Sequence, residues 1–321
     1  MRSYVEANAA GDDQDVSPLA ADRLAHLSRR SLLQWGAGLV VSAAFAGRSL
    51  PVQATRANHP STSRADRERA IEEMPLQSLK EPLQSQINQI VLNPTIYRRL
   101  PVAVIPCDPQ LYLFLVRYPE VVVNMWQLMG VTNALIKRTS AYAYDARDGA
   151  GTVSEVQLVY GTRDQHVFLA EGYYEGPLLQ RRVTGRCVLL LTSAYSSDEQ
   201  QRCYISNRLD MFLQLDRAGV ELVAKTLHPL LGRTIDTNFS ESARFVGQIS
   251  FVAENNGPGV QRLASRLDNI QPEVRSRFSQ IAASINQRAA LKKFEIYSEG
   301  DAQRISDRGG DGSIETLIER K

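Results

Sequence analysis

The chain is poor in the residues that build chemical centres. Its 321 residues include three Cys, four His and two Trp. Cys107, Cys187 and Cys203 are too few and too scattered for a disulfide scaffold, and their odd count leaves at least one unpaired. His26 and His59 stand in polar N-terminal sequence. His166 and His228 are far apart, so no metal site is expected. The patterns H-E-x-x-H, C-x-x-C, G-x-x-x-x-G-K-[ST], G-x-G-x-x-G and G-x-S-x-G do not occur. This leaves out the motif-borne zinc, redox, phosphate-loop, dinucleotide and serine-hydrolase chemistries. The formal net charge is only +2, which gives no strong field to draw nucleic acid or an acidic membrane. After residue 54 no apolar run is long enough to span a bilayer, which takes roughly 20 residues.

The N-terminus carries a different kind of signal. "SRRSLLQWGAGLVVSAAFAG" (28–47) places Arg29 and Arg30 before an uncharged run from Leu32 to Ala46. That run is short and is softened by Gln34, Gly36, Gly38 and Ser42. A basic front, a modest apolar middle and a small-residue end describe a signal peptide better than a permanent span. Ala44-Phe45-Ala46 allows cleavage before Gly47. Val52-Gln53-Ala54 allows it before Thr55, and Arg48 favours this later site. The Arg29-Arg30 pair followed by Leu32-Leu33 resembles a twin-arginine export signal. That resemblance implies export of a folded protein through the twin-arginine machinery to the periplasm or cell envelope, with no membrane span left after cleavage. It names no cofactor.

Residues 1–54 therefore read as an N-terminal extension with its signal and 55–81 as a linker, with a short helix at Arg67–Glu73. Residues 82–292 read as one domain and 293–321 as a polar tail. In the domain, 82–100 has an amphipathic helical stripe (Leu83, Ile87, Ile90, Val91), which Pro94 breaks or bends. "LPVAVIPC" (100–107) is a short strand. Asp108 caps a helix with Pro109 at its first position, and Pro119 starts a second helix that stops at Gly130. Five strands follow, at 133–145, 152–160, 166–174, 178–195 and 203–215, joined by short turns as an antiparallel meander. A kink is expected at Gly185. In the last strand Cys203, Ile205, Leu209, Met211, Leu213 and Leu215 share one face. Tyr204, Ser206, Arg208, Asp210 and Gln214 share the other, which reads as solvated. Pairing like faces sets Tyr195 opposite Cys203 and Cys187 opposite Met211. The two cysteines then stand too far apart for a disulfide. Helices follow at Val220–Leu227, from a cap near Thr237 or Asn238 to residue 254, and at Val260–Leu267 and Glu273–Leu291. "NGPG" (256–259) breaks the series.

Candidate site residues come mainly from the aromatic set. Trp126, Tyr142, Tyr144, Tyr160 and Tyr173 lie in the helices and first strands, where a tyrosine-lined sheet can hold an apolar ligand and orient its polar end. An ordinary aromatic core, or a cross-strand ladder, accounts for the same residues. His228 suits a helix cap, a core position or a binding site. His166 reads as a strand-edge residue. Glu155, Glu171, Asp210 and Asp236 read as solvated carboxylates.

The order of elements completes the picture. A short strand ending in "IPCDPQLYLFLVRYPEVVVNMWQLMGV" leads to a long antiparallel meander and C-terminal helices. This resembles the START-like, polyketide-cyclase (SRPBCC) helix-grip superfamily over about residues 85–290. The resemblance implies an α+β fold, with a curved antiparallel sheet wrapped around a long C-terminal helix, N-terminal helices, and a cavity for lipids or other apolar molecules. It transfers no catalytic residue. Three functions follow from the residues and this resemblance together. One is an exported protein that binds or carries an apolar small molecule such as a lipid. Another is an enzyme on the same fold, with His228 or Glu171 as acid or base. The third is an envelope interaction protein with a filled core.

Overall fold

A computed structural model describes residues 59–176, 182–217, 220 and 228–309, without the side chains of 228–231 and 293–309. All belong to one unit of the chain, Val40–Lys321. The signal segment with Arg29 and Arg30, most of the helix read at Val220–Leu227, and residues 310–321 lie outside the described residues.

The architecture is α+β, an open antiparallel sheet of eight strands with helices on both sides, in the helix-grip layout. Helices α1 (Arg64–Glu72) and α2 (Leu83–Leu92) precede β1 (Ile96–Arg99) and β2 (Ala103–Pro106). Then come α3 (Pro109–Arg117) and α4 (Pro119–Leu128). The strands β3 (Leu135–Arg138), β4 (Ala143–Arg147), β5 (Thr152–Gly161), β6 (Gln165–Tyr174), β7 (Val183–Ser197) and β8 (Cys203–Leu215) form the meander. Helices α5 (His228–Asn255), α6 (Gly257–Ser265) and α7 (Pro272–Gly309) follow. The spatial order is β1-β8-β7-β6-β5-β4-β3, and β2 also pairs with β8. β1 and β2 lie end to end along β8, with Leu100 N–H still donating to Leu209 O at 2.8 Å. Pro101 interrupts this edge, where a missing N–H is tolerated.

Several boundaries differ from the sequence reading for visible reasons. The helix stripe at 82–100 ends at Leu92, because Pro94 stops it and the chain continues as β1. The strand read at 133–145 is a hairpin. It turns at 139–142, where Arg138 bonds the carbonyls of Ser140 and Ala141 without any glycine or proline to mark the bend. β7 stays in register through Gly185, and the irregularity lies in β5 between Leu158 and Tyr160. β7 pairs with β8 two residues away from the inferred register, with Tyr195 opposite Ile205 and Cys187 opposite Leu213. The cause is a tighter connection: Asp198 bonds the N–H groups of Gln200 and Arg202, so both strands run to Ser197 and Cys203. A two-residue shift keeps every side chain on its face. Cys187 and Cys203 stand ten rungs apart, about 33 Å at the usual strand rise, and all three cysteines are free. α5 starts at His228 and passes through Thr237 and Asn238 without a break. α7 carries the sequence read as a loose tail in helical form to Gly309.

The largest correction concerns the face of β8 read as solvated. Asp210 and Phe212 are fully buried there. Val167, Leu169, Val188 and Leu190 on the same face pack against Ala70, Met74, Ile87, Ile90 and Val91. The segment read as a linker supplies this cover from Ser61 onward, where Ser61 bridges Arg99. An ion network fixes it. Asp210 Oδ1 accepts from Arg99 Nε at 2.7 Å and from the Tyr97 hydroxyl at 2.6 Å, and Arg208 Nε lies 3.2 Å from Oδ2. Arg99 Nη1 also reaches Asp66 of α1 at 2.7 Å, and Arg208 pairs with Glu73. Hydrogen bonds from Ser61 and Ser63 hold the Asp66 carboxyl below the usual carboxylate range, and Arg99 adds to this. We call this side the clamped face.

The opposite side, the grip face, carries α3, α4 and α5. Asp108 caps α3 by accepting from Gln110 and Leu111 N–H at 2.9 and 3.1 Å, with Pro109 next. Arg98 binds Asp236 of α5 through Nε at 2.8 Å and through Nη2, so Asp236 is also not a solvated carboxylate. α5 approaches β2 at Gly247, where a Cβ would lie 3.2 Å from the Pro106 carbonyl.

Asp210→Ala leaves two arginines without their shared carboxylate inside the clamped face. It should cost about 3–5 kcal/mol in urea unfolding. Glu155→Ala, at an exposed position, should stay within about 0.5 kcal/mol.

Candidate functional site

The grip face is an apolar strip, built rung by rung from the register. Val156, Ala170, Cys187 and Leu213 form one rung, and Leu158, Phe168, Leu189 and Met211 the next. His166, Leu191 and Leu209 form the third. On the clamped face the corresponding apolar side chains are sealed. Here Val156, Phe168, Ala170, Cys187, Leu189, Leu191, Leu209 and Leu213 are only half-buried. Trp126 of α4 meets Phe245 of α5 edge-on at 5.6 Å, so the two covering helices are joined.

The two ends of the strip differ. Past the His166 rung, Ser193 and Asn207 pair across β7 and β8. Tyr112 of α3 closes that end, with its hydroxyl 2.6 Å from Ser193 Oγ and bonded to Asn207 Oδ1. Beyond the Ala170–Cys187–Leu213 rung comes Gly172–Gly185–Leu215. Two glycines in register leave the sheet bare there. A cavity of about 420 Å³ lies behind them on the clamped side, with Glu171, Thr184, Arg186, Gln214 and Asp216 as its polar wall. Gly172 is required by close packing, since a Cβ would stand 2.2 Å from the Val153 carbonyl.

Polar groups flank the strip. Arg138 reaches Glu120 Oε1 at 2.6 Å and lies between the Tyr118 and Tyr144 rings, 4.4 and 4.6 Å from their centroids. The Tyr144 hydroxyl donates to the Arg117 carbonyl at 2.8 Å. Burial pushes the Tyr144 hydroxyl up to about 12, raises Tyr112 further, and pushes the Cys187 thiol up to about 12. Burial, with Arg117 beside it, lowers His166 to about 4. Each of these groups is moved away from neutrality, so they act as fixed hydrogen-bonding groups rather than as acids or bases poised to transfer protons.

The structure gathers only part of the inferred site. Tyr144 and Trp126 belong to the grip side. Tyr142 is 61% exposed. Tyr160 packs into the clamped core, because the β5 irregularity turns it away from Leu158. Tyr173 shares the clamped side with Glu171 and lies under the Arg182 guanidinium at 3.4 Å. His228 opens α5, and its side chain lies outside the described residues. Glu171 is exposed and accepts from Gln86 at 2.6 Å. His166 is no edge residue. It is fully buried in a central strand, and the alternation His166-Phe168-Ala170 places it on the apolar strip.

No protein-family model matches the chain, and no curated protein matches it. Among solved structures it is similar to the di-domain ARO/CYC BexL from the BE-7585A biosynthetic pathway. That likeness has 15% identity and a TM-score of 0.31, over 58% of this chain and 60% of that one. It is also similar to apo dicamba monooxygenase, at 12% identity and a TM-score of 0.26, over 63% of this chain and 60% of that one. The chain thus spans about three fifths of each. These likenesses are slight, and the fold assignment rests on the sheet and helices described above.

His166 stays neutral in the fold, whereas in the unfolded chain it takes a proton near pH 6.5. Its folded pKa is the lower, so its contribution is fully present above about pH 6.5. It is lost as pH falls to about 4, by on the order of 3 kcal/mol. Urea titrations across that range should show this slope for the native chain and its absence in His166→Gln.

Proposed function

We propose that this is an exported cell-envelope protein that binds or carries an apolar small molecule, of lipid character, along the grip face. On this reading it is a distant member of the START-like helix-grip superfamily. The observation that carries the proposal is the inequality of the two sheet faces. Each is apolar, but the apolar core of the clamped face is sealed, while the grip face keeps a strip of half-buried side chains. Such a strip gains by covering. Removing about 300 Å² of ligand surface from water at about 25 cal/mol per Å² gives about 7 kcal/mol before association costs. Export through the twin-arginine machinery rests on Arg29 and Arg30. Among the described residues no helix is long and apolar enough to cross a membrane.

Native mass spectrometry of protein taken from its own envelope, followed by solvent extraction, tests the binding. A discrete co-purifying apolar molecule is the expected result. Ala170→Trp, which fills the middle of the strip, should lower its occupancy at least about tenfold. A bare polypeptide mass would overturn the reading in favour of a filled-core interaction protein. Replacing Arg29 and Arg30 together by Lys should leave the protein in the cytoplasm. Unchanged export would remove the twin-arginine route.

A further inference from the structure

His166 holds an unused donor. Arg117 Nε–H donates to His166 Nε2 at 3.3 Å, so Nε2 carries the lone pair. The neutral ring then keeps its proton on Nδ1. His166 Nδ1 is buried and, among the described residues, has no hydrogen-bond partner. A buried N–H without an acceptor is costly, and such groups are rare in folded proteins. The side chain shares its face with Leu191 and Leu209 on its own rung and with Phe168 on the next, all three half-buried. A ligand lying on the strip therefore ends beside the missing acceptor.

Charge narrows the acceptor. The hydrogen bonds of Arg117 among the described residues go to His166 and to the Thr162 carbonyl at 3.0 Å, both uncharged. Of the neighbouring guanidinium groups, Arg138 is paired with Glu120 and Arg163 lies over the Tyr195 ring. Among the described residues no carboxylate pairs with Arg117. Tyr112 and Ser193 close the strip one rung further on, so the polar end is also the blind end. An apolar chain lying along the grip face from Gly172 and Gly185 meets only carbon and thiol side chains until it reaches His166.

The geometry points to a monocarboxylate with an apolar body as the ligand class, its carboxylate accepting from His166 Nδ1–H beside Arg117 and its body along the strip toward Gly172 and Gly185. This rests on the apolar-ligand reading above and adds the head group and its orientation.

Calorimetric titration of the full chain with dodecanoate and with dodecanol separates the two claims. Dodecanoate should bind at least about tenfold tighter, one charge-assisted hydrogen bond being worth that much or more. In ¹⁵N-histidine spectra of the native chain, dodecanoate should shift the His166 Nδ1 resonance and dodecanol should not. Arg117→Gln, at a half-exposed position, should bring dodecanoate to the affinity of dodecanol and leave dodecanol unchanged. Equal binding of both probes with an unmoved His166 resonance would overturn the head-group assignment and leave apolar binding standing. Binding of neither would overturn both.

Discussion

Asp210 is a carboxylate with no exposed surface in the middle of a sheet. An unpaired charge there would cost more than most folds can spare. The chain answers with Arg99, Arg208 and Tyr97, and the arginines carry the network outward to Asp66 and Glu73 at the two ends of α1. The N-terminal layer is thereby held to the sheet at a defined place. With it in position, Ile87, Ile90 and Val91 of α2 close over Val188, Leu190 and Phe212. One face of the sheet is settled by this arrangement. On the function we propose, binding falls to the other.

On that other face the helices cover without sealing. α5 is held at the sheet edge by Arg98–Asp236 and by its contact with β2 at Gly247, and α3 fills the corner at Tyr112. Neither position lies over Ala170, Cys187 or Leu189, which stay half-buried. The glycine pair Gly172–Gly185 leaves the other end of the strip without side chains. Fixed hydrogen-bonding groups at the closed end and bare backbone at the open end give the strip a direction.

Much of this was legible in the sequence, and the misses are instructive. The alternation of β8 gave its limits correctly, and Asp108-Pro109 marked the start of α3 because an acceptor side chain and a missing N–H suit a helix N-terminus. The same alternation misled about burial. Ser206, Arg208, Asp210 and Gln214 look alike whether water or a buried ion network faces them. The better signal was in the neighbouring strands, where "HVFLA" and "CVLLL" are apolar at successive positions, the mark of a strand buried on both faces. The tyrosine set was scattered by one local event, the β5 irregularity that sends Tyr160 and Leu158 to opposite faces. Nothing in a single sequence announces such a shift. His166 was open to inference once Phe168 and Ala170 were placed, since period two puts all three together. Its hydrogen-bond partner Arg117 comes from a helix 49 residues earlier, and only the fold brings them within reach.

The central claim is that the two faces of one sheet differ in access. Side-chain footprinting with a small photoactivated carbene, read residue by residue with and without dodecanoate, addresses it most directly. The account predicts labelling of Leu189, Leu191 and Leu213, none of Val188, Leu190 or Phe212, and protection of the first group alone when dodecanoate is present. Equal labelling of both groups, or protection that fails to follow the grip face, would contradict it.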